Sequence, residues 1–252
     1  QNSSTAESFR NIRSNLRFLT ENGQSGKVFL ISSSITGEGK TFCAMNLATV
    51  FAMSEKRTVL VGADLRKPKI FDDFNINNEL GISNYLIGHQ TMEEIIQSSM
   101  VPYLDVITAG PIPPNPSELM MNENMEVLME ELKSRYDYIV LDTPPVGVVA
   151  DALNLMKYAD ATLYLIRQDY TKRGMLEVIN EKYSKGEVKN ISFVLNHFLH
   201  RAKYGYGYGY GYGYGYGYAY GRYGAGYNEQ TPVQGFTRGI KKKWREFMRN
   251  FS

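Results

Sequence analysis

From Lys27 to Ala52 the chain reads KVFLISSSITGEGKTFCAMNLATVFA. It is a short apolar run ending in small residues, a turn with two glycines, and then a helix-like stretch. Strand, tight turn and helix in that order open a βαβ unit. Gly37 and Gly39 let the backbone turn so that successive N–H groups point at phosphate oxygens, beside the positive end of the following helix. Lys40 supplies a point charge for β and γ phosphates, and the Thr41 hydroxyl suits Mg²⁺. The turn Thr36, Gly37, Glu38, Gly39, Lys40, Thr41 and Phe42 is therefore the expected nucleotide cradle. The strict pattern GxxxxGK[ST] asks for glycine at position 34, where this chain has Ser34. An ordinary glycine-rich turn is the competing reading.

The alternation continues outward. RTVLVGADL, YLDVITAG, YDYIVLDTPP, DATLYLIRQ and NISFVLNH are further apolar runs, with helical patterns such as PSELMMNENMEVLMEELKSR between them. Strands that are apolar along their whole length and separated by helices have both sheet faces covered. The fold class is thus α/β, with a doubly wound, mostly parallel sheet. Upstream, TAESFRNIRSNLRFLT (5–20) sets Phe9, Ile12, Leu16 and Leu19 at helical spacing, predicting an amphipathic opening helix. The pattern stops near residue 200. The expected division is a folded domain over 1–200, a disordered Tyr/Gly-rich tail over 201–230, and a basic amphipathic segment over 231–252.

The chain has 252 residues, 43% hydrophobic and 21% charged, enough for one substantial core. Its net charge of +2 is unevenly spread. Arg201, Lys203, Arg222, Arg238, Lys241, Lys242, Lys243, Arg245 and Arg249 face only Glu229 and Glu246, so the tail is basic and the body mildly acidic. Cys43 has no second cysteine to pair with, which excludes an intrachain disulfide and fits a reducing compartment. No apolar run reaches the roughly 18 to 20 residues of a membrane span, so neither a span nor a signal peptide is expected. A chain opening on Gln1 without Met reads as a piece of something longer, or as a processed N-terminus.

In an open α/β sheet the ligand sits beyond the carboxyl ends of the strands. Asp142 ends VLD and Asp64 follows VLVGA, so both acids belong beside the phosphate turn, Asp142 as a Walker B acid for Mg²⁺ or its water. Each alone would read as a cap or turn residue.

Residues 203–227 read KYGYGYGYGYGYGYGYAYGRYGAGY. Tyrosine on alternate residues mimics a strand, but glycine between them removes the second face and raises the cost of ordering. The run is either a linker of aromatic beads, a nucleic-acid arm with Tyr for stacking, or a display of phosphate acceptors. Further on, GIKKKWREFMRNF sets Ile240, Trp244, Phe247, Met248 and Phe251 against a basic face. It suits an anionic membrane surface, a partner groove or the chain's own domain.

GEGKT, VLVGADLRKP, GPIPPNPSELM (110–120) and VLDTPPVGVVAD together resemble the cytoplasmic domain of the bacterial tyrosine kinases that regulate capsule and exopolysaccharide export. The resemblance implies a P-loop NTPase of the deviant Walker type, a fold shared with partition and division-site ATPases. Those carry a signature lysine where this chain has Ile35. It implies ATP and Mg²⁺ as cofactors, Lys40 on the phosphates, and Thr41, Asp64 and Asp142 at the metal, with Lys40, Asp64 and Asp142 catalytic. Asn196 matches a residue that reaches the adenine, its competing reading being a strand-end turn former. The family's D-x-D motif has Gly62 in place of its first acid, leaving Asp64 as the proton acceptor. Glu7, Arg10 and Arg13 match a motif of ring-shaped homo-oligomers; on residues alone they make a solvated helix face. Implied acceptors are Tyr204, Tyr206, Tyr208, Tyr210, Tyr212, Tyr214, Tyr216, Tyr218, Tyr220, Tyr223 and Tyr227, presented by a neighbour. Implied partners are a transmembrane co-polymerase or activator segment and a protein-tyrosine phosphatase, on the cytoplasmic side of the bacterial inner membrane, with no nucleic acid. A non-catalytic or ATP-hydrolysing regulator is the alternative function.

Overall fold

In chain order the computed structural model runs α1 (Ser4–Leu19), β1 (Lys27–Ser33), α2 (Lys40–Ala52), β2 (Thr58–Gly62), α3 (Ile70–Phe74), α4 (Ile82–Ile87), α5 (Met92–Ile95) and β3 (Ile96–Ser98). It continues β4 (Leu104–Ile107), α6 (Pro116–Met120), α7 (Glu123–Arg135), β5 (Tyr138–Asp142), α8 (Asp151–Met156), β6 (Ala161–Arg167), a 3₁₀ turn (Arg173–Leu176), α9 (Glu177–Ser184) and β7 (Ile191–Asn196). The structure describes residues 4–19, 26–74, 76–147 and 151–198. Both tail segments lie outside them.

The strands form one seven-stranded sheet in the order β3-β4-β2-β5-β1-β6-β7. Every pairing is parallel except β3 on β4, which is antiparallel at the edge. This is the expected doubly wound class. β1 is buried along its whole length because both faces are covered. Val28 and Leu30 join one core with Leu128 of α7 and Leu155 of α8. Phe29 and Ile31 join the other, with Leu47 and Phe51 of α2. α2 is apolar almost all round, as a helix is when it is buried on both sides. α1 lies over it, seating Phe9 and Leu16 in the core while the Phe9 and Phe42 rings meet edge to face. Arg13 donates to the Val50 carbonyl in the last turn of α2, at 2.7 Å, a position where helix carbonyls lack intrahelical partners.

Two details differ from the sequence expectation. The segment 116–135 is two helices, because Asn122 leaves the helical conformation and accepts a hydrogen bond from Asn124 N at 3.3 Å. Asn caps helices better than it continues them. The three-residue β3 was not expected; so short a segment carries no periodicity of its own.

Register places the site. Asp142 at the end of β5 pairs with Ile31 of β1 on one side and Gly62 of β2 on the other. The loops leaving the three strands therefore open at the same end of the sheet.

Candidate nucleotide site

The turn from Ser34 to Gly39 carries positive φ at Gly37 (85°) and Gly39 (98°), a conformation that favours glycine. Ser34 keeps a negative φ, so the missing first glycine imposes no strain. Its hydroxyl lies 3.1 Å from the Tyr164 hydroxyl and donates to the Met175 carbonyl at 3.3 Å. The chain passes close to it at Gly147, where a Cβ would meet the Ser34 carbonyl at 2.4 Å.

Lys40 starts α2 and is 8% exposed. Its Nζ donates to Ser33 Oγ at 3.0 Å and to the Ile35 carbonyl at 3.3 Å, folding the ammonium back over the turn. Burial lowers its pKa, against the pull of Asp142, Asp64 and Glu38. Next to it, the Thr41 hydroxyl donates to Asp142 Oδ2 at 2.7 Å. Asp142 is 4% exposed, and its Oδ1 has no hydrogen-bond partner among the described residues. Burial raises this carboxyl to about 7, with the Thr41 hydrogen bond and Lys40 opposing. The donor set is a hydroxyl, a carboxylate oxygen already bonded to it, and a second carboxylate oxygen left over. It fits a hard divalent cation that keeps most of its waters and takes further oxygens from a phosphate.

A second group of contacts holds the turn from the other side. Tyr170 Oη donates to the Thr36 carbonyl at 3.0 Å, Arg167 Nη1 to the Gly37 carbonyl at 2.8 Å, and Asn196 Nδ2 to the Glu38 carbonyl at 2.8 Å. The fully buried Glu38 carboxylate accepts from Ile35 N at 2.8 Å and from the Thr171 hydroxyl. Asn196 is thus engaged by the phosphate turn itself. Sequence reasoning missed Arg167, Tyr170 and Thr171. Their signal, RQDYT at the end of an apolar run, acquires meaning once β6 is known to lie beside β1.

On the third strand end, Asp64 Oδ1 accepts from the N–H groups of Arg66 (3.2 Å) and Lys67 (3.0 Å), an Asx turn that shapes ADLRKP. Arg66 Nη2 donates to Ser117 Oγ at 2.7 Å, tying this loop to the PNPSEL segment. Gly62, Asp64, Pro68, Lys69, Ile70, Phe71, Ala109 and Asp142 line one cleft. A Cβ at Gly62 would stand 3.3 Å from both Ala109 N and Ile70 Cδ1, so the place of the missing acid is narrow. The structure thus brings together the turn, Asp142, Asp64 and Asn196. Glu7, Arg10 and Arg13 lie apart on α1, where Arg10 Nη1 pairs with Glu7 Oε2 at 3.1 Å. The tyrosines of 204–227 are outside the described residues.

Residues 26–193 match the AAA domain family. The chain is 37% identical over 191 residues to the tyrosine-protein kinase YwqD of Bacillus subtilis (strain 168), covering 76% of this chain and 80% of that one. It is 35% identical over 190 residues to the tyrosine-protein kinase ptk of Acinetobacter johnsonii, covering 75% of this chain and spanning 26% of that relative's length. Among solved structures, the kinase domain of the Escherichia coli tyrosine kinase ETK matches with a TM-score of 0.76 at 32% identity, over 83% of this chain and 82% of that one. The Pyrococcus furiosus cell division ATPase MinD shares the fold, with a TM-score of 0.57 at 20% identity, over 68% of this chain and 71% of that one. The chain belongs to the bacterial tyrosine kinase family, as a nucleotide-binding protein-tyrosine kinase domain on a P-loop NTPase fold.

Proposed function

We propose that this domain transfers the γ-phosphoryl group of ATP, held with Mg²⁺, to tyrosines of the run Tyr204 to Tyr227 on a second copy of the chain. The observation that carries the reading is the Thr41–Asp142 pair, bonded at 2.7 Å with Asp142 Oδ1 buried and left over, beside Lys40 at the phosphate turn. Buried carboxylate oxygens find partners, and here a cation or its water would supply one. Thr41 and Asp142 would hold Mg²⁺, which when bound would supply charge neutralisation at the phosphates. Lys40 and the N–H groups of the turn orient the triphosphate. As the phenolic oxygen bonds to the γ phosphorus, the bond to the β–γ bridging oxygen breaks and ADP leaves with that electron pair. Asp64 takes the phenolic proton. Little covalent chemistry falls to the protein in so loose a transition state, so positioning carries most of the work even with Gly62 in place of an acid.

The run offers many equivalent tyrosines, which makes the modification graded. Each phosphotyrosine adds about −1.5 to −2 charges next to Lys203 and Arg222. In this reading, the accumulated charge loosens a ring assembled through Glu7, Arg10 and Arg13, and a phosphatase resets it. The output is control of capsule or exopolysaccharide polymerisation and export, with this domain on the cytoplasmic side of the inner membrane beside a transmembrane partner segment. The test is mass spectrometry of the purified chain after incubation with ATP and Mg²⁺. Phosphate on tail tyrosines, absent from Lys40→Met, is expected; a wild-type tail unmodified despite nucleotide binding makes the domain a non-catalytic regulator.

A further inference from the structure

The three carbonyls of the phosphate turn at Thr36, Gly37 and Glu38 each accept a hydrogen bond from a different side chain, Tyr170, Arg167 and Asn196 respectively. In a trans peptide the C=O and the following N–H point in opposite directions. Holding these oxygens outward turns the N–H groups of Gly37, Glu38 and Gly39 the other way, into the turn where an anion is held. The donors are themselves fixed. Arg167 lies over the Tyr170 ring, 4.8 Å from its centroid. Asn196 Oδ1 accepts from His197 N at 2.8 Å, which leaves Nδ2 to face Glu38. Thr171 accepts from Arg167 N at 2.9 Å and donates to the Glu38 carboxylate. The glycines carry the imprint of this packing. A Cβ at Gly39 would stand 2.2 Å from Asn196 Nδ2, and one at Gly37 would stand 3.0 Å from Tyr170 Oη.

We propose that Tyr170, Arg167 and Asn196 form a clamp that holds the amides of the phosphate turn in their anion-binding orientation, the Tyr170 hydroxyl strengthening polyphosphate binding without touching the nucleotide. These are positioning residues, and their role rests on the nucleotide-site reading above. Preorganised amides bind an anion without first losing the entropy of alignment. Removing Tyr170 or Arg167 from the clamp therefore weakens binding of whatever the amides hold, and leaves the base alone.

Tyr170→Phe isolates the effect, because it keeps the ring beneath the guanidinium and deletes one donor. Isothermal titration of the full chain with ADP and with pyrophosphate, without added metal, reads it. The expected result is an affinity about three- to tenfold weaker for both ligands, the worth of one such hydrogen bond, with the unliganded melting midpoint lowered by no more than a few degrees. Adding Arg167→Met deepens the loss for both ligands. Tyr170→Phe that binds pyrophosphate as the wild type does, or that loses ADP affinity alone, overturns the clamp while the kinase reading stands. A wild-type chain that binds neither ligand, with or without Mg²⁺, overturns both.

Discussion

The phosphate side and the acceptor side of the site are built differently. On the phosphate side Glu38 is fully buried, Lys40 is 8% exposed and Asp142 is 4% exposed, and the contacts around them span β1, β5, β7 and the loop after β6. On the acceptor side Asp64 is half-buried in a turn closed by its own loop, Gly62 offers no side chain, and Arg66, Lys67 and Lys69 are exposed. On the proposed assignment, phosphate binding is inseparable from folding the sheet, whereas transfer rests on a few side chains that can change at little cost to stability.

The largest effect should come from Lys40→Met, which strikes the strong side. Loss of a preorganised positive charge at the developing phosphoryl group is expected to slow phosphotyrosine formation by on the order of 10² to 10³ or more. Removing a buried ammonium should leave the melting midpoint within a few degrees of wild type, since the burial penalty that disappears with the charge offsets the lost attraction to Asp142. A midpoint lowered by many degrees would mean that Lys40 is structural. Calorimetry and an initial-rate assay on the same preparation check both.

Gly39→Ala should rank next and separates backbone strain from contact. Gly39 combines φ 98° with a Cβ position 2.2 Å from Asn196, whereas Gly88 has φ 84° and open space around it. Strain alone costs about 1 to 2 kcal/mol, so Gly88→Ala should lower stability modestly and leave ADP affinity intact. Gly39→Ala should lower stability further and weaken ADP binding severalfold. Thermal melts and ADP titrations of the pair give the difference.

The smallest effect concerns Cys43, buried on the phosphate side at 4% exposure. Burial, with Asp142 adding to it, pushes this thiol up to about 12. Below that value it stays protonated and unreactive. A thiol reagent at pH 8 should leave the native chain unlabelled and label it fully after denaturation. Rapid labelling of the native chain would show that this half of the site opens.

The same contrast explains what could be read from the sequence. The parallel sheet was legible because its central strands are apolar on both faces, and the phosphate turn because Gly37, Gly39, Lys40 and Thr41 are each required by one local geometry. Ser34 broke the pattern without consequence, since that position needs no positive φ. Asn122 split a helix that looked continuous, because its capping role depends on where the chain bends. The contacts of Arg167, Tyr170 and Thr171 were illegible, as they exist only through the neighbouring of β6 and β1, which no local pattern encodes. Asn196 was marked, but its bond to Glu38 spans 158 positions. The tail and the basic C-terminal segment lie outside the described residues and stand as sequence readings.

The division of labour between the two sides is tested most directly by Asp64→Asn, with ADP affinity and phosphotyrosine formation measured on one sample. Asparagine keeps the Asx turn and deletes the charge. Without added metal, ADP affinity should stay within about twofold of wild type, because Asp64 is assigned to the metal and the acceptor rather than to the phosphate turn. Transfer with Mg²⁺ present should slow by about 10² or more, the worth of a positioned proton acceptor. Transfer at the wild-type rate, or affinity and transfer falling together, would contradict that division.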